Sequence, residues 1–313
     1  MESKQIAVET KHLKKSFKSV EVLKDVSFSV NSGMIFALLG ANGSGKTTTI
    51  NILTTLIKAD DGDAKVGGFD VLNKPDKVRN QISLTGQFAA VDYRLSAREN
   101  LQLIGDLRHV SNPAKTAKDL LDKFGLTDAA DRRVETFSGG MRRRLDIAMS
   151  LIGKPSVIFL DEPTTGFDPE GRIDMWKTIR QLASSGTTVF LTTQYLEEAD
   201  ELADQIAVLH HGKIVASGSA SELKKLVPSG LIELVFRDGK TLTKAINILE
   251  LSHSVTKQNE TTLTIATDHD VAELARIFTR LRDANIEPIE FSQQKPNLDD
   301  VFLKITSVNE ETK

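Results

Sequence analysis

A glycine-rich segment constrains the fold of this chain more than any other feature of its sequence. The segment reads Gly-Ala-Asn-Gly-Ser-Gly-Lys-Thr over residues 40–47, between an apolar run at 34–39 and a helical pattern at 47–57. Glycines let several backbone N–H groups converge on phosphate oxygens, and a following helix N-terminus favours negative charge. The order of strand, loop and helix therefore predicts a phosphate-binding loop in an α/β domain with a mainly parallel sheet.

The residues of this loop have separate expected roles. Lys46 reaches the outer phosphates, and Thr47 offers its hydroxyl to a magnesium ion. A site of this kind prefers nucleoside triphosphates. The residues predicted to bind the nucleotide here are Gly40, Ala41, Asn42, Gly43, Ser44, Gly45, Lys46, Thr47 and Thr48.

A second apolar run, at residues 157–160, ends in the two carboxylates Asp161 and Glu162. The end of a strand places Asp161 where it can hold a metal ion, directly or through water. It places Glu162 where it can polarise a water in line with the terminal phosphate. The alternative is a helix cap after a buried strand, because acidic residues are common there. The phosphate loop favours the catalytic interpretation.

The segment Phe-Ser-Gly-Gly-Met at residues 137–141 precedes a helical pattern. Ser138 can cap that helix, while Gly139 and Gly140 leave its first amides bare. The segment thus predicts a second anion-binding helix terminus. The alternative is an ordinary loop with a good N-cap, and the segment alone does not decide between them.

Composition and pattern divide the chain into a predicted domain at residues 1–220 and a smaller one at 221–313. Alternating apolar residues from 6 to 30 indicate antiparallel strands, and helical patterns over about 88–152 indicate an inserted helical subdomain. One of these helices begins with a capping box at residues 96–99. The smaller domain is predicted to be α+β, with strands at 231–236, 262–266 and 286–291 and helices at 243–251, 270–283 and 298–305.

The order of the motifs carries a family resemblance. Along the chain come the phosphate loop, Gln87, the Ser-Gly-Gly segment, the Asp-Glu pair and Thr-Gly-Phe-Asp at residues 165–168. This order closely resembles the nucleotide-binding subunit of ATP-binding cassette (ABC) transporters, over about residues 6–217. The resemblance implies a P-loop NTPase of the ABC ATPase type that uses ATP and Mg²⁺.

The resemblance also implies a head-to-tail homodimer, or a heterodimer with a related cassette. The Ser-Gly-Gly segment of one subunit would close over the triphosphate held by the phosphate loop of the other, with Asp168 in the dimer contact. Glu162 would be the general base, and Thr47, Gln87 and Asp161 would hold the metal ion. Gln87 would also link that ion to a separate membrane permease, through the surface around residues 87–95.

Two further positions follow from the resemblance. Phe17 would stack on adenine, although a plain core aromatic is the alternative for that residue. Gln194 stands where most of the family carry a histidine, in the switch after the last core strand. Its amide can still donate to a phosphate oxygen but cannot carry positive charge. We therefore expect hydrolysis to persist at a lower rate.

The closing segment, Leu-Asp-Asp-Val-Phe-Leu-Lys-Ile at residues 298–305, resembles the last helix of the accessory domain in drug-resistance cassettes of the daunorubicin and doxorubicin type. Those cassettes work as exporters with a separate membrane subunit. The resemblance implies export of a substrate, with a hydrophobic drug or antibiotic favoured. Lipid, peptide and polysaccharide cargo stay open, because cargo specificity resides in membrane helices.

The composition limits the remaining function classes. The formal net charge is −3 and there is no cysteine, so neither global attraction to nucleic acid nor thiol chemistry is indicated. Three arginines at residues 142–144 are interpreted as a solvated or phosphate-adjacent helix face rather than a nucleic-acid patch. We expect a cytoplasmic location, peripheral on the inner face of the cell membrane through the permease.

Two other functions compete with an exporter ATPase. A soluble cassette protein in DNA repair or translation would carry a long coiled-coil insertion or two cassettes in tandem, and the sequence has one cassette without extended heptads. A phosphoryl-transferring kinase would have no use for the Ser-Gly-Gly segment. The exporter ATPase is thus the leading prediction.

Overall fold

The computed structural model describes residues 5–86, 90–227, 230–250, 255–267, 271–294, 297–302 and 304. The chain separates into two units, Met1–Ala220 and Ser221–Lys313. Each unit has a sheet and a hydrophobic core of its own.

The first unit is built on a sheet that has ten strands among the described residues. In chain order these are β1 (Ile6–Phe17), β2 (Val20–Asn31), β3 (Ile35–Leu39), β4 (Asp61–Val66), β5 (Phe69–Asp70), β6 (Ile82–Thr85), β7 (Val157–Asp161), β8 (Thr188–Thr193), β9 (Gln205–His210) and β10 (Lys213–Gly218). Their order in space is β5-β4-β1-β2-β10-β9-β3-β8-β7-β6. The strands from β9 to β6 pair in parallel, whereas β2, β1, β4 and β5 form an antiparallel part.

The helices of this unit cover the sheet or extend from it. They are α1 (Lys46–Leu53), α2 (Pro75–Arg79), α3 (Ala97–Leu107), α4 (Pro113–Lys123), α5 (Gly139–Ser150), α6 (Pro169–Ser184) and α7 (Leu196–Leu202), and α8 (Ala220–Lys224) follows at the boundary. The helices α3, α4 and α5 lie between β6 and β7 in the chain, where the helical subdomain was predicted. The predicted capping box is confirmed, because Ser96 Oγ accepts from the Glu99 N–H at 3.2 Å and Glu99 Oε2 accepts from the Ser96 N–H at 2.7 Å.

The core of the first unit is centred on strands that are buried on both faces. Every residue of β3, β7 and β8 is buried. The rings of Phe36, Phe159 and Phe190 on these strands and of Phe28 on β2 form a continuous aromatic cluster, with centroids 5.0–5.7 Å apart. Parallel strands covered on both sides need such unbroken apolar runs. The core thereby fixes the strand ends that carry the predicted motifs.

The second unit is an antiparallel sheet packed against helices. Its elements are β11 (Gly230–Val235), α9 (Gly239–Leu249), β12 (Val255–Lys257), β13 (Thr262–Thr267), α10 (Val271–Asp283) and β14 (Glu290–Gln294), with strand order β12-β13-β11-β14. Ile232, Leu234 and Leu263 of the sheet pack with Leu242 of α9 and Ile277 of α10. The predicted α+β class of this part is confirmed.

The predicted fold class is confirmed, while some predicted element ends are wrong. The helix predicted at 47–57 ends at Leu53, because Thr55 adopts a left-handed backbone with φ 65°. The strand predicted at 286–291 lies at Glu290–Gln294 instead. Ile286 closes α10, since its N–H donates to the Leu281 carbonyl after the left-handed Asn285. Residues 251, 270 and 305, at the ends of three predicted helices, lie outside the described residues.

Candidate active site

The sheet topology brings three predicted motifs to one edge. Strands β3, β8 and β7 are neighbours and run parallel, so their carboxyl ends meet at the same side of the sheet. The phosphate loop follows β3, Gln194 follows β8, and Asp161 with Glu162 closes β7. The crevice beyond the carboxyl ends of such strands is where open α/β sheets bind ligands.

Two positions of the phosphate loop accept only glycine. A Cβ atom at Gly40 would lie 2.4 Å from the Leu209 carbonyl oxygen and 2.6 Å from Ser44 Oγ. Gly45 has φ +112°, and a Cβ atom there would lie 2.5 Å from the Leu23 side chain of β2. The loop is therefore packed tightly against the sheet, and its backbone rather than its side chains forms the surface of the site.

Lys46 lies inside this loop with only 4% of its surface exposed. Its ammonium donates to the Gly40 carbonyl at 2.8 Å and to the Ala41 carbonyl at 3.1 Å. The same nitrogen lies 3.3 Å from Glu162 Oε1, across the edge of the sheet. The predicted phosphate-binding lysine and the predicted general base therefore share one site.

Hydroxyl and carboxylate oxygens that could bind a hard cation lie together at the end of β7. Asp161 Oδ1 accepts from Thr192 Oγ1 at 2.6 Å and from Thr47 Oγ1 at 3.4 Å. No group of three or more His, Cys, Asp or Glu residues that could hold a metal exists within the described residues. Hydroxyl and carboxylate oxygens in small number fit Mg²⁺, which is usually bound by one or two protein ligands together with substrate phosphates. The buried Ser44 Oγ, which makes no hydrogen bond, is a further polar atom directed at the loop.

Glu162 has an unusual backbone for a non-glycine residue, with φ 46°. Its N–H donates to the Thr192 carbonyl at 3.2 Å and to Thr192 Oγ1 at 3.1 Å, and Thr165 Oγ1 donates to Glu162 Oε2 at 3.1 Å. The next helix begins only at Pro169, so the alternative prediction of a helix cap for these carboxylates is wrong.

Of the two glutamines predicted to belong to the site, the structure describes Gln194 but not Gln87. Gln194 is half-buried directly after β8, and the Gly40 N–H donates to the carbonyl of the preceding Thr193 at 3.1 Å. The end of β8 is thus bonded directly to the phosphate loop. Gln87 lies outside the described residues, which resume at Ala90.

The Ser-Gly-Gly segment lines a cleft to which the phosphate loop does not contribute. Ser138 Oγ accepts from the Met141 N–H at 3.2 Å and so caps α5, and Asp168 caps α6 in the same way through the Gly171 N–H at 3.0 Å. Both caps line one cleft together with Gly139 and Gly140. No residue of the phosphate loop, which the structure describes in full, lines that cleft.

Phe17 lies at the end of β1 with 47% of its surface exposed. The Lys15 ammonium lies 5.4 Å from the centroid of its ring. The alternative prediction of a core aromatic is therefore wrong. An exposed ring is available for stacking, and adenine stacking stays a prediction.

Sequence reasoning missed a buried ion pair in α5. Arg143 was expected on a solvated or phosphate-adjacent face together with Arg142 and Arg144, but only 5% of its surface is exposed. Its Nη1 lies 3.4 Å from Oδ2 of Asp146, which is equally buried. Burial raises the pKa of Asp146, and the neighbouring guanidinium opposes that rise. The signal in the sequence was the i, i+3 spacing of the pair within an otherwise apolar helix face.

Glu198 of α7 is a second buried charged group that sequence reasoning missed. Its Oε1 accepts from Thr164 Oγ1 at 2.8 Å and from Trp176 Nε1 at 3.2 Å. Its side chain also hydrogen-bonds to Thr193, and burial raises its pKa. Glu198 thereby connects the loop after Glu162 to the strand end before Gln194.

Comparison with known proteins extends these observations. Family models match the chain as "ABC transporter" over residues 23–165 and as "ATP-binding protein DrrA1-3-like, C-terminal domain" over residues 218–306. The chain is 43% identical to the daunorubicin/doxorubicin resistance ATP-binding protein DrrA of Streptomyces peucetius, covering 96% of this chain and 92% of that protein. It is 34% identical to the Nod factor export ATP-binding protein I of Sinorhizobium fredii (strain NBRC 101917 / NGR234), covering 96% and 86%.

The solved structures agree with the sheet topology. The ADP conformation of MJ1267, an ATP-binding cassette of an ABC transporter, superposes with a TM-score of 0.63 at 28% identity, covering 70% of this chain and 92% of that one. The fold and the phosphate loop define a P-loop nucleoside triphosphatase. More narrowly, the chain belongs to the ATP-binding proteins of the ABC transporter family.

Membership of this family confirms the predicted enzyme class. The chain binds ATP and is an ATPase subunit of a transporter, and the alternative of a soluble cassette in DNA repair or translation is not favoured. Within the part of the chain that the structure describes, no helix is long and apolar enough to cross a membrane.

Proposed function

We propose that this chain is the ATPase subunit of an export transporter, and that two copies hydrolyse ATP at sites shared between them. The convergence of Lys46, Asp161 and Glu162 at the carboxyl ends of adjacent parallel strands carries the proposal. The relatives named for daunorubicin/doxorubicin resistance and for Nod factor export support export as the direction.

In the proposed reaction the phosphate loop holds ATP through its backbone N–H groups, and Lys46 donates to the outer phosphates. Glu162 Oε1 accepts the proton of a water in line with the terminal phosphate. Thr47 and Asp161, with Gln87, would hold Mg²⁺, which supplies charge neutralisation at the phosphates when bound. Gln194 would donate its amide N–H to a phosphate oxygen.

The proposed dimer rests on two segments that are both predicted to bind phosphate. Ser138, Gly139 and Gly140 line a cleft with Asp168 that contains no residue of the phosphate loop. A second chain in head-to-tail orientation would bring its Ser-Gly-Gly segment to the phosphate loop of the first. In a symmetric dimer, both shared sites would form at the same time. A heterodimer with a related cassette would satisfy the same geometry.

The test uses Glu162→Gln, which keeps the shape of the side chain but removes the base. We expect ATP binding to persist and turnover to fall by about 10²–10⁴-fold, the range for loss of general-base catalysis. Because ATP then stays bound, the variant should form dimers when ATP is added, as measured by light scattering after gel filtration. Glu197→Gln, an exposed carboxylate 66% accessible on α7, is the matched control and should behave as wild type.

The outcome that contradicts the shared-site proposal is a Glu162→Gln protein that stays monomeric at saturating ATP. Normal turnover by this variant would instead contradict the assignment of the base. Lys46→Ala in the same background should abolish the dimer, because the lysine that contacts the outer phosphates is lost.

The proposed cargo is a hydrophobic drug or antibiotic, which passes through a separate polytopic membrane subunit that holds this chain at the inner face of the membrane. The resistance protein matched over nearly the full chain and the DrrA-like C-terminal match support this cargo class. The test is drug accumulation in cells that express the chain with a membrane protein encoded beside it. Accumulation should fall with the wild type and not with Lys46→Ala; equal accumulation would contradict the proposal.

A further inference from the structure

The buried ion pair of α5 makes contacts well beyond its own helix. Arg143 Nη1 donates to the Gly86 carbonyl at 2.5 Å, just after β6 ends, and Nη2 donates to the Asp161 carbonyl at 3.4 Å, at the end of β7. Asp146 Oδ1 accepts from the Ala90 N–H at 3.1 Å. One pair of side chains therefore joins the helix that begins at the Ser138 cap to the strand ends of the candidate active site.

The neighbouring Arg142 gives the contrast. Its guanidinium donates to the Glu135 carbonyl at 3.0 Å and to the Val134 carbonyl at 3.4 Å, and it lies 5.1 Å from the Tyr93 ring centroid. All of these partners belong to the helical subdomain. The two adjacent arginines of α5 thus have different partners. Arg142 makes contacts within the helical subdomain, whereas Arg143 connects the subdomain to the ends of β6 and β7.

A contribution to folding stability does not by itself explain the buried pair of Arg143 and Asp146. Removing two charges from water costs more than their attraction often returns, and apolar replacements of similar volume are frequently neutral or stabilising. Arg143 Nε is also buried without a hydrogen-bond partner, which adds to the cost. A planar guanidinium with fixed donor directions, on the other hand, sets the relative position of the groups it binds.

We propose that Arg143 and Asp146 are a positioning pair, which fixes α5 and its Ser138 cap relative to the ends of β6 and β7. The inference rests on the proposed shared-site dimer. There, each chain gives Asp161 and Glu162 to one nucleotide and its Ser-Gly-Gly segment to the other. Both sites can close together only if these two parts of one chain take a defined position relative to one another when ATP is bound. Loss of the pair should therefore impair closure of the dimer and leave ATP binding by the single chain intact.

The test compares three proteins in the Glu162→Gln background: the parent, Arg143→Met/Asp146→Leu, and Arg142→Met. The double substitution removes both charges together, so no unpaired charge is left buried. We measure melting temperature, the affinity for a fluorescent ATP analogue at protein concentrations too low for dimers, and the ATP concentration that gives half-maximal dimer.

The double variant should melt as a folded protein and bind the analogue within about twofold of the parent. It should need at least about tenfold more ATP to dimerise, since small misplacements at such sites have effects of up to about a hundredfold. In the wild-type background it should lose kcat to a similar degree. Arg142→Met should dimerise as the parent does, although it also replaces an arginine of the same helix with methionine.

A folded double variant that dimerises as readily as the parent would overturn the inference. So would an equal defect in Arg142→Met, because the effect would then belong to the helix rather than to the pair. If the double variant does not fold, Asp146→Asn, which keeps an acceptor for the Ala90 N–H, replaces it with the same expectation of weaker dimerisation. A Glu162→Gln parent that never dimerises would contradict the proposed function itself, which separates the two failures.

Discussion

Glu162 combines a predicted catalytic role with a strained backbone. A non-glycine residue in the left-handed region costs about 1–3 kcal/mol and persists only where the surroundings impose it. Here Thr192 accepts twice from the Glu162 N–H, and Thr165 donates to Glu162 Oε2. These contacts direct the other carboxylate oxygen to Lys46, 3.3 Å away. The strain is consistent with a carboxylate held in place for catalysis.

Substitution of Gln194 tests how far a charged side chain at this position increases the rate of ATP hydrolysis. A neutral amide can donate one hydrogen bond to a phosphate oxygen but cannot stabilise the growing negative charge as an imidazolium does. We expect Gln194→His to raise kcat by up to about tenfold, since charge-assisted hydrogen bonds are roughly twice as strong as neutral ones. Steady-state ATPase rates for the two proteins measure this. Equal rates would remove the reason to consider Gln194 limiting.

Glu198 allows a prediction about pH. Burial raises its pKa in the folded chain above the ordinary value of about 4.3. As pH rises above that value, the unfolded state releases the proton before the folded state does, so the folded chain loses stability through this window. Hydrogen bonds with Thr193, Thr164 and Trp176, together with the Arg172 charge, oppose the shift.

Glu198→Gln removes this titration and keeps an acceptor for Thr164 and Trp176. The free energy of unfolding of the variant, relative to that of the wild type, should therefore increase as pH rises from about 4.5 to 7.5, so the variant gains stability relative to the wild type. Urea unfolding at both pH values measures the difference. Glu197→Gln removes an exposed carboxylate of the same helix and controls for net charge. If the difference in free energy of unfolding between the variant and the wild type did not change with pH, burial would not raise the pKa of Glu198.

At the scale of elements, the sequence predicted helices and strands best where a local sequence pattern determines the structure. Continuous apolar runs identified β3 and β7, and a capping box identified the start of α3. The strand β4, Asp61–Val66, escaped notice because its residues Asp-Gly-Asp-Ala-Lys-Val bury only two side chains and are polar at the rest. Its pairing with β1, which decides the structure, is not local.

In the candidate site, too, features set by local sequence were predicted, and features that depend on contacts between distant parts of the chain were not. The phosphate loop, Asp161 and Glu162 were found from motifs, because their chemistry demands particular residues in sequence. Their convergence depends on the strand order, which a motif does not contain. Arg143 and Glu198 were missed because each acts through partners far along the chain, Gly86 and Asp161 for one and Thr164 and Trp176 for the other.

The tight packing of the phosphate loop gives a prediction for that element. Gly40→Ala puts a Cβ atom 2.4 Å from the Leu209 carbonyl, which cannot move without disturbing β9. We expect a loss of about 1–3 kcal/mol in the free energy of unfolding, together with weaker ATP binding. Gly43→Ala is the matched control, because nothing lies within 4 Å of its Cβ position and only the left-handed backbone, with φ +78°, opposes it. Thermal unfolding and nucleotide titration compare the two, and a Gly40→Ala protein as good as Gly43→Ala would contradict the packing argument.

At the scale of the whole molecule, the nucleotide site and the reporter for its stability lie in the same unit. Trp176 is the sole tryptophan of the chain and is 7% exposed on α6, within Met1–Ala220. Its indole N–H donates to Glu198. Tryptophan fluorescence therefore follows the unfolding of the unit that binds ATP and not that of Ser221–Lys313.

Because ATP binds the folded unit and not the unfolded chain, saturating nucleotide must raise the stability of that unit. At a hundred times the dissociation constant the gain is about 2.7 kcal/mol, which for a unit of this size shifts the melting temperature by about 5–10 °C. The measurement is fluorescence-detected melting of Glu162→Gln, which does not consume the ligand, over a range of ATP concentrations. Lys46→Ala in the same background should show a much smaller shift at equal concentrations. An equal shift in both proteins would mean that ATP stabilises the unit from a site that does not include the phosphate loop.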